Sequence, residues 1–433
     1  ALLAGVSLLA LGAQAKNPQA PGLLSEVKGK QAKVLPAQAI AARSKSVKVN
    51  YGQLRSGRLT IDLPDGISLD AVRDKHTDMG GGRFAWSGHA GDKANRVVLG
   101  VSGDAVSGAF TWNGRLFKLE PRPDGSHVVS EVQPGDPAPI SDPIPVLDTA
   151  GSGGSSSLPS VSADGTVIDV LVAYTPEVQS RYGVQGAEAL VVQAVAEANQ
   201  AYANSGVQAQ LNLVHTALTN YSESSSMNTD LSRLQSGSDG YMDELHALRD
   251  EHGADLVSLI EHEPQYCGLA YYMGDLSTSF APFAFSVVNH NCATGYYSFA
   301  HELGHNQGAN HDPANASNSI YPHAYGHQEP AGNFRTVMAY NCSGNCTRVD
   351  HFSNPDITFN GYATGVVGYS DNALTIDKTA ATVASFRQGS SAPLPTATPP
   401  AVPEALAAST VSHSAIQLGW VDASSDESGF KLE

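Results

Sequence analysis

No run of roughly 18 or more apolar residues occurs in this 433-residue chain, so it offers no segment of the length and hydropathy of a membrane-spanning helix. Cysteine is scarce: there are four, Cys267, Cys292, Cys342 and Cys346, and none among the first 266 residues. Neither 267/292 nor 342/346 is spaced as C-x-x-C, which argues against a cysteine metal site. Basic charge is scarce in the second half. Residues 161–433 hold 8 Lys+Arg against 28 Asp+Glu, a balance of −20, whereas residues 16–160 hold 17 against 14, a balance of +3. So acidic a body argues against nucleic acid and anionic membrane as partners. It also gives the mildly basic first part an acidic surface to dock on.

What is present suffices for a sizeable core, since 41% of residues are hydrophobic. At about 150 residues per domain, two or three units are expected. Residues 2–11 (LLAGVSLLAL) followed by Ala13-Gln14-Ala15 have the apolar core and small-x-small end of a secretory signal peptide, whose charged start lies outside the chain. Residues 1–15 are therefore expected to be its remnant, and the protein to be secreted. In an exported chain an even cysteine count favours two disulfides. Of three connectivities, the short spacing of Cys342 and Cys346 favours 342–346 with 267–292.

Residues 16–50 have no clear periodicity. From Tyr51 to about Val132, short alternating apolar runs are separated by turn pairs such as Asp65-Gly66, Asn113-Gly114 and Asp124-Gly125, which predict hairpins in a small all-β unit. Residues 134–160 are rich in Pro, Gly and Ser and read as an exposed, cleavable linker. From Val161 the pattern becomes α/β. Strands are expected at 167–174, 209–216, 255–260 and 267–273, with helices at 187–204 and 241–251, which implies a sheet with helices packed on it. Residues 390–403 form a second Pro/Ser linker. Residues 404–433, with alternation and Trp420, resemble the first strands of a fibronectin type III domain, too few to close a sandwich of about seven strands. The chain is thus expected to be truncated or to end in a stub.

The chemistry concentrates in residues 299–312, FAHELGHNQGANHD. His301 and His305, spaced i, i+4 on a helix, project from one face and can share a metal ion. Gly308 breaks the helix by tolerating a left-handed conformation, and the turn brings back His311 as a third ligand. Three neutral imidazoles leave a fourth position open, as in a catalytic zinc site. Zinc lowers the pKa of a water there towards about 7, and Glu302, adjacent but not a ligand, takes its proton as general base.

The full H-E-x-x-H-x-x-G-x-x-H pattern resembles the metzincin signature. Asp312 after the third histidine resembles the reprolysin (adamalysin) branch, bacterial members in particular. Thr336-Val337-Met338-Ala339-Tyr340 is similar to the Met-turn, in which Met338 would floor the zinc histidines without ligating. Tyr340 departs from the reprolysin pattern. It stands where astacins and serralysins carry a tyrosine that binds zinc or stabilises the transition state, and it is a second catalytic candidate beside ordinary packing. The resemblance covers residues 161–389. It implies an α/β (α+β) catalytic domain with a twisted, mostly parallel sheet and a zinc-binding helix, one Zn2+, and protein or peptide substrates paired to an edge strand at CGLAYYM (267–273).

By the same resemblance residues 16–160 are a pro-domain, an intramolecular inhibitor that makes the chain a zymogen. Many relatives block zinc with a pro-segment cysteine; this segment has none, so latency needs another residue or steric cover. His76, Asp78 and His89 are candidates beside an ordinary hairpin reading. The remaining histidines show no ligand spacing to one another. Two other functions compete with a zinc metalloendopeptidase: an adhesion protein with a vestigial zinc domain, against which an intact Glu302 argues, and a zinc amidase acting on a non-peptide amide.

Overall fold

The computed structural model describes residues 22–27, 41–132, 139, 141–146, 165–316, 318–387, 404–412 and 415–421. The signal segment 1–15, the linker 390–403 and most of the linker 134–160 lie outside the described residues. Among the described residues no helix is long and apolar enough to cross a membrane.

Residues 24–26 and 41–132 build one nine-stranded, wholly antiparallel sheet, mainly a meander. Its hairpins turn where the sequence supplies residues that accept positive φ. Asn113 (49°) and Gly114 (75°) join Ala105–Trp112 to Arg115–Pro121, the two left-handed positions of a type I′ turn. Trp86, Phe110, Phe117 and Leu59 lie in the sheet's own core. From its other side Ala85 and Val98 enter the main core of the α/β part. There the sheet meets the long helix Val184–Asn204: Ser102 Oγ donates to Glu188 (2.6 Å) and Ser107 Oγ to Gln193 (2.6 Å). The described residues before Ser390 thus form one packed unit.

The second sheet has six strands in the order Ile144–Pro145, Gly268–Tyr272, Phe285–Asn289, Leu256–Glu261, Val167–Tyr174, Gln210–Leu218. The last four are mutually parallel; Gly268–Tyr272 runs antiparallel to its neighbour Phe285–Asn289. Helices Pro176–Tyr182, Met227–Gln235 and Asn372–Val383 join those expected from the sequence. Thr175-Pro176, directly after the strand Val167–Tyr174, starts a helix: Thr175 Oγ1 accepts from Val178 N, and Pro176 takes the first helical position, where no N–H is needed. Ser390 begins a separate unit, described as two antiparallel strands, Glu404–Ser412 and Ala415–Val421.

Candidate metal centre

The motif helix spans Ser298–Asn306, its apolar residues Phe299, Ala300 and Leu303 fixed in the main core. This anchoring turns His301 and His305, one turn apart, to the same face. Gly308 leaves the helix at φ +82°, a conformation that L side chains seldom adopt, and the chain returns with His311. The three Nε2 atoms lie 3.1 Å from one another, pair by pair.

The opposite ring nitrogens explain why these atoms face inward. His301 Nδ1 donates to Val337 O (2.8 Å) and His305 Nδ1 to Ala309 O (3.0 Å), which leaves each Nε2 an unprotonated lone pair. Burial, and then the neighbouring imidazoles, hold His301 and His305 well below the usual histidine range; burial brings His311 down to about 3. Three buried lone pairs at 3.1 Å repel unless a cation lies among them, and this separation suits three bonds of about 2.0–2.1 Å to one metal ion. The residues therefore fit a metal. Among the described residues this is the group of three whose ligand atoms converge.

Glu302 is buried beside the triad, against Gly268 of the edge strand. A Cβ at position 268 would lie 2.5 Å from Glu302 Oε1, so the absence of a side chain there makes the room for this carboxylate. Burial pushes the Glu302 carboxyl well above the usual range, and the charge of Arg348 pulls it partly back. Met338 lies under the helix: a Cβ on Gly304 would meet its Sδ at 2.7 Å. Asp312 joins the two motifs, accepting from Tyr340 N (3.0 Å) and from Asn315 Nδ2 (2.9 Å).

The Tyr340 ring packs on His311, centroids 4.4 Å apart, and its hydroxyl donates to Asp142 Oδ1 (2.9 Å). Burial, then that carboxylate, pushes the phenol upward. Asp142 belongs to a strip that lines the edge strand: Cys267 N donates to Pro139 O (2.9 Å), and Ile144–Pro145 pairs parallel with Tyr271 and Tyr272. Its Oδ1 is 3.8 Å from His311 Nδ1. The four cysteines form Cys267–Cys292 and Cys342–Cys346, the favoured pairing.

The other sequence candidates stay apart from this centre in their contacts. His89 pairs with Asp74 (2.8 Å), and His76 stacks on Phe84. His262 and His290, 2.7 Å apart, join a buried network with Tyr182, and His215 stacks on His252. Sequence reasoning missed Asp142, Gly268 and Arg348. Asp142 and Gly268 carry no motif. Arg348 had a signal: it is one of only eight cations in the acidic half.

The model of metallo-peptidase family M12 matches residues 164–353. A peptidyl-Asp metalloendopeptidase of Xanthomonas campestris pv. campestris is 36% identical over 365 residues, 80% of this chain and 86% of that protein. Another of the same name, from Stenotrophomonas maltophilia (strain K279a), is 37% identical over 377 residues, 82% of this chain and 88% of its own. Among solved structures, metalloproteinase-II from Bacteroides fragilis aligns over 63% of this chain and 83% of its own, at 10% identity and a TM-score of 0.36. The chain belongs to metallo-peptidase family M12 and is a bacterial reprolysin-like metalloendopeptidase, a metal-dependent hydrolase of peptide bonds.

Proposed function

We propose that the protein is a secreted, zinc-dependent endopeptidase made as a zymogen, with His301, His305 and His311 holding the ion and Glu302 acting as general base. The carrying observation is the triangle of three Nε2 atoms, 3.1 Å on each side, with a buried carboxyl next to it. Zinc, when bound, supplies Lewis acidity that polarises a carbonyl and acidifies water towards about pH 7. Glu302 takes the proton of the attacking water and passes it to the leaving amine; its hydrophobic, buried position raises its basicity for that task. The hydroxyl of Tyr340, freed from Asp142, donates to the oxyanion. Since the relatives are named peptidyl-Asp metalloendopeptidases, bonds beside aspartate are the proposed substrates.

Residues 16–160 are the proposed pro-domain. Their strip at 139–146 lines the edge strand in parallel, where a substrate would add, and Asp142 engages Tyr340 at the centre's rim. This contact does the work for which no cysteine is available. A denatured protein incubated with the processed enzyme should be cut, chelator should stop the cutting, and zinc should restore it. Hydrolysis that survives exhaustive chelation sinks the metal-dependent reading. Turnover confined to non-peptide amides sinks the endopeptidase reading.

A further inference from the structure

The nine-stranded sheet and the strip at 139–146 touch the second half of the chain in different places. The strip reaches Tyr340 at the rim of the metal centre and lines the edge strand. The sheet instead lies on the helix Val184–Asn204, which also packs against Gln210–Leu218 and the motif helix. Ten consecutive residues of that helix, Ala189 to Ala198, are buried. At 3.6 residues per turn they cover every direction around its axis, so this stretch has no solvent face. A surface helix would bury one stripe.

Contact with the sheet is closest at Gly100. A Cβ there would lie 2.2 Å from Ala189 O and 2.4 Å from Gln193 N, so main chain rests on main chain with no side chain between. Gln185, Ala189 and Gln193 stand four residues apart and form the stripe that meets the sheet. Asp104 N donates to Gln185 Oε1 (3.3 Å), Ser107 Oγ to Gln193 Oε1 (2.6 Å) and Arg96 Nη2 to Asn204 Oδ1 (3.0 Å). Lys118, buried in the sheet, donates to Asn291 O (2.5 Å). Beside these pairs, Ala85 and Val98 of the sheet share one core with Val192 and Ala196 of the helix. A cap that must leave needs only to fill the cleft. A shared core and main-chain contact belong to a permanent interface, whose separation returns buried apolar surface to water. We propose that the nine-stranded sheet is a lasting subunit: once the linker is cut it stays on the helix as a second chain, and only the strip at 139–146 leaves. Loss of the strip opens the cleft, and the sheet keeps the helix covered. The role of the strip rests on the pro-domain reading; the docking of the sheet does not.

The test uses the full chain with two inserted recognition sites for an unrelated protease, one within 134–138 and one within 150–157. Cutting both frees the strip as a separate peptide. Size-exclusion chromatography should then return the sheet and the catalytic part in one peak. That peak should hydrolyse a quenched peptide severalfold faster than the uncut chain. Gly100→Val should separate the two chains in the same experiment, because the helix backbone cannot yield to a new side chain. Ser107→Ala covers a valine variant that does not fold. It should raise the Kd of the cut chains roughly 2- to 10-fold, the worth of one hydrogen bond, read by anisotropy of a labelled sheet on dilution. Elution of the sheet apart from a soluble, active catalytic part overturns the proposal, as does an unchanged Kd in both variants. An uncut chain as active as the doubly cut one refutes instead the inhibitory reading of the strip, and co-elution still decides the fate of the sheet.

Discussion

The hydroxyl of Tyr340 donates a 2.9 Å hydrogen bond to the carboxylate of Asp142, a residue 198 positions earlier in the chain. One partner packs on the third histidine of the metal centre; the other lies on a strip that occupies the edge of the catalytic sheet. The bond ties the N-terminal part of the chain to the chemistry of its second half.

Breaking that bond should lower latency. Asp142→Ala in the full-length, unprocessed chain is expected to hydrolyse a quenched peptide severalfold faster than the unprocessed parent, while Ser141→Ala should not. The measurement is initial rate, with mass spectrometry confirming an uncut linker. Equal latency in the parent and Asp142→Ala would clear Asp142 of the role and leave steric cover by the strip.

Glu302→Gln should keep fold and metal content and lose about 10²–10⁴-fold in turnover, the usual span of general-base assistance. Tyr340→Phe, which keeps the ring on His311 and removes only the hydroxyl, should cost less in the processed enzyme. Near-normal turnover in Glu302→Gln would be decisive against the general-base assignment.

Gly268→Ala puts a methyl 2.5 Å from Glu302 Oε1, closer than the two can approach. The carboxyl must move, and a displacement of about 1 Å at a catalytic group can cost as much as 10²-fold. The expected result is a fall in kcat with unchanged zinc content. An unaltered kcat would show that Glu302 can work from another position.

The nine-stranded sheet should weaken in mild acid. His127 is buried in it, and its Nε2 accepts from Val106 N (3.1 Å), an arrangement that only the neutral ring supports. Burial lowers His127 to about 4 from an ordinary 6.5. Between these values the unfolded chain binds the proton and the folded one does not. This contribution to stability is therefore present above pH 6.5 and lost as pH falls towards 4, at no more than about 1.4 kcal/mol per pH unit. The hydrogen-exchange protection factor of the Val106 amide, which corrects for the pH dependence of intrinsic exchange, should fall between pH 7 and 5, and His127→Gln should flatten that dependence. A pH-independent rate of opening in the parent would contradict it.

Much of the metal centre was legible in the sequence, because a helix converts spacing into direction. The i, i+4 spacing of His301 and His305 puts both rings on one face, and Gly308 announces the turn that returns His311. Three of the four parallel strands were legible as short apolar runs, Phe285–Asn289 being the exception, and the hairpins as Asn-Gly and Asp-Gly pairs. The helix Met227–Gln235 was not: Met227, Leu231 and Leu234 are buried at helical spacing, but they are few within a short polar stretch whose start is marked by a capping serine (Ser226 Oγ accepts from Thr229 N).

Tertiary structure alone decided the rest, for a physical reason common to all of it. The room that Gly268 leaves for Glu302 and the Asp142–Tyr340 bond are contacts between segments whose separation in sequence encodes no direction. Local spacing sets which way a side chain leaves its own helix or strand. Which other segment it meets is settled by how sheets and helices pack, and that depends on the burial of the whole core rather than on any motif.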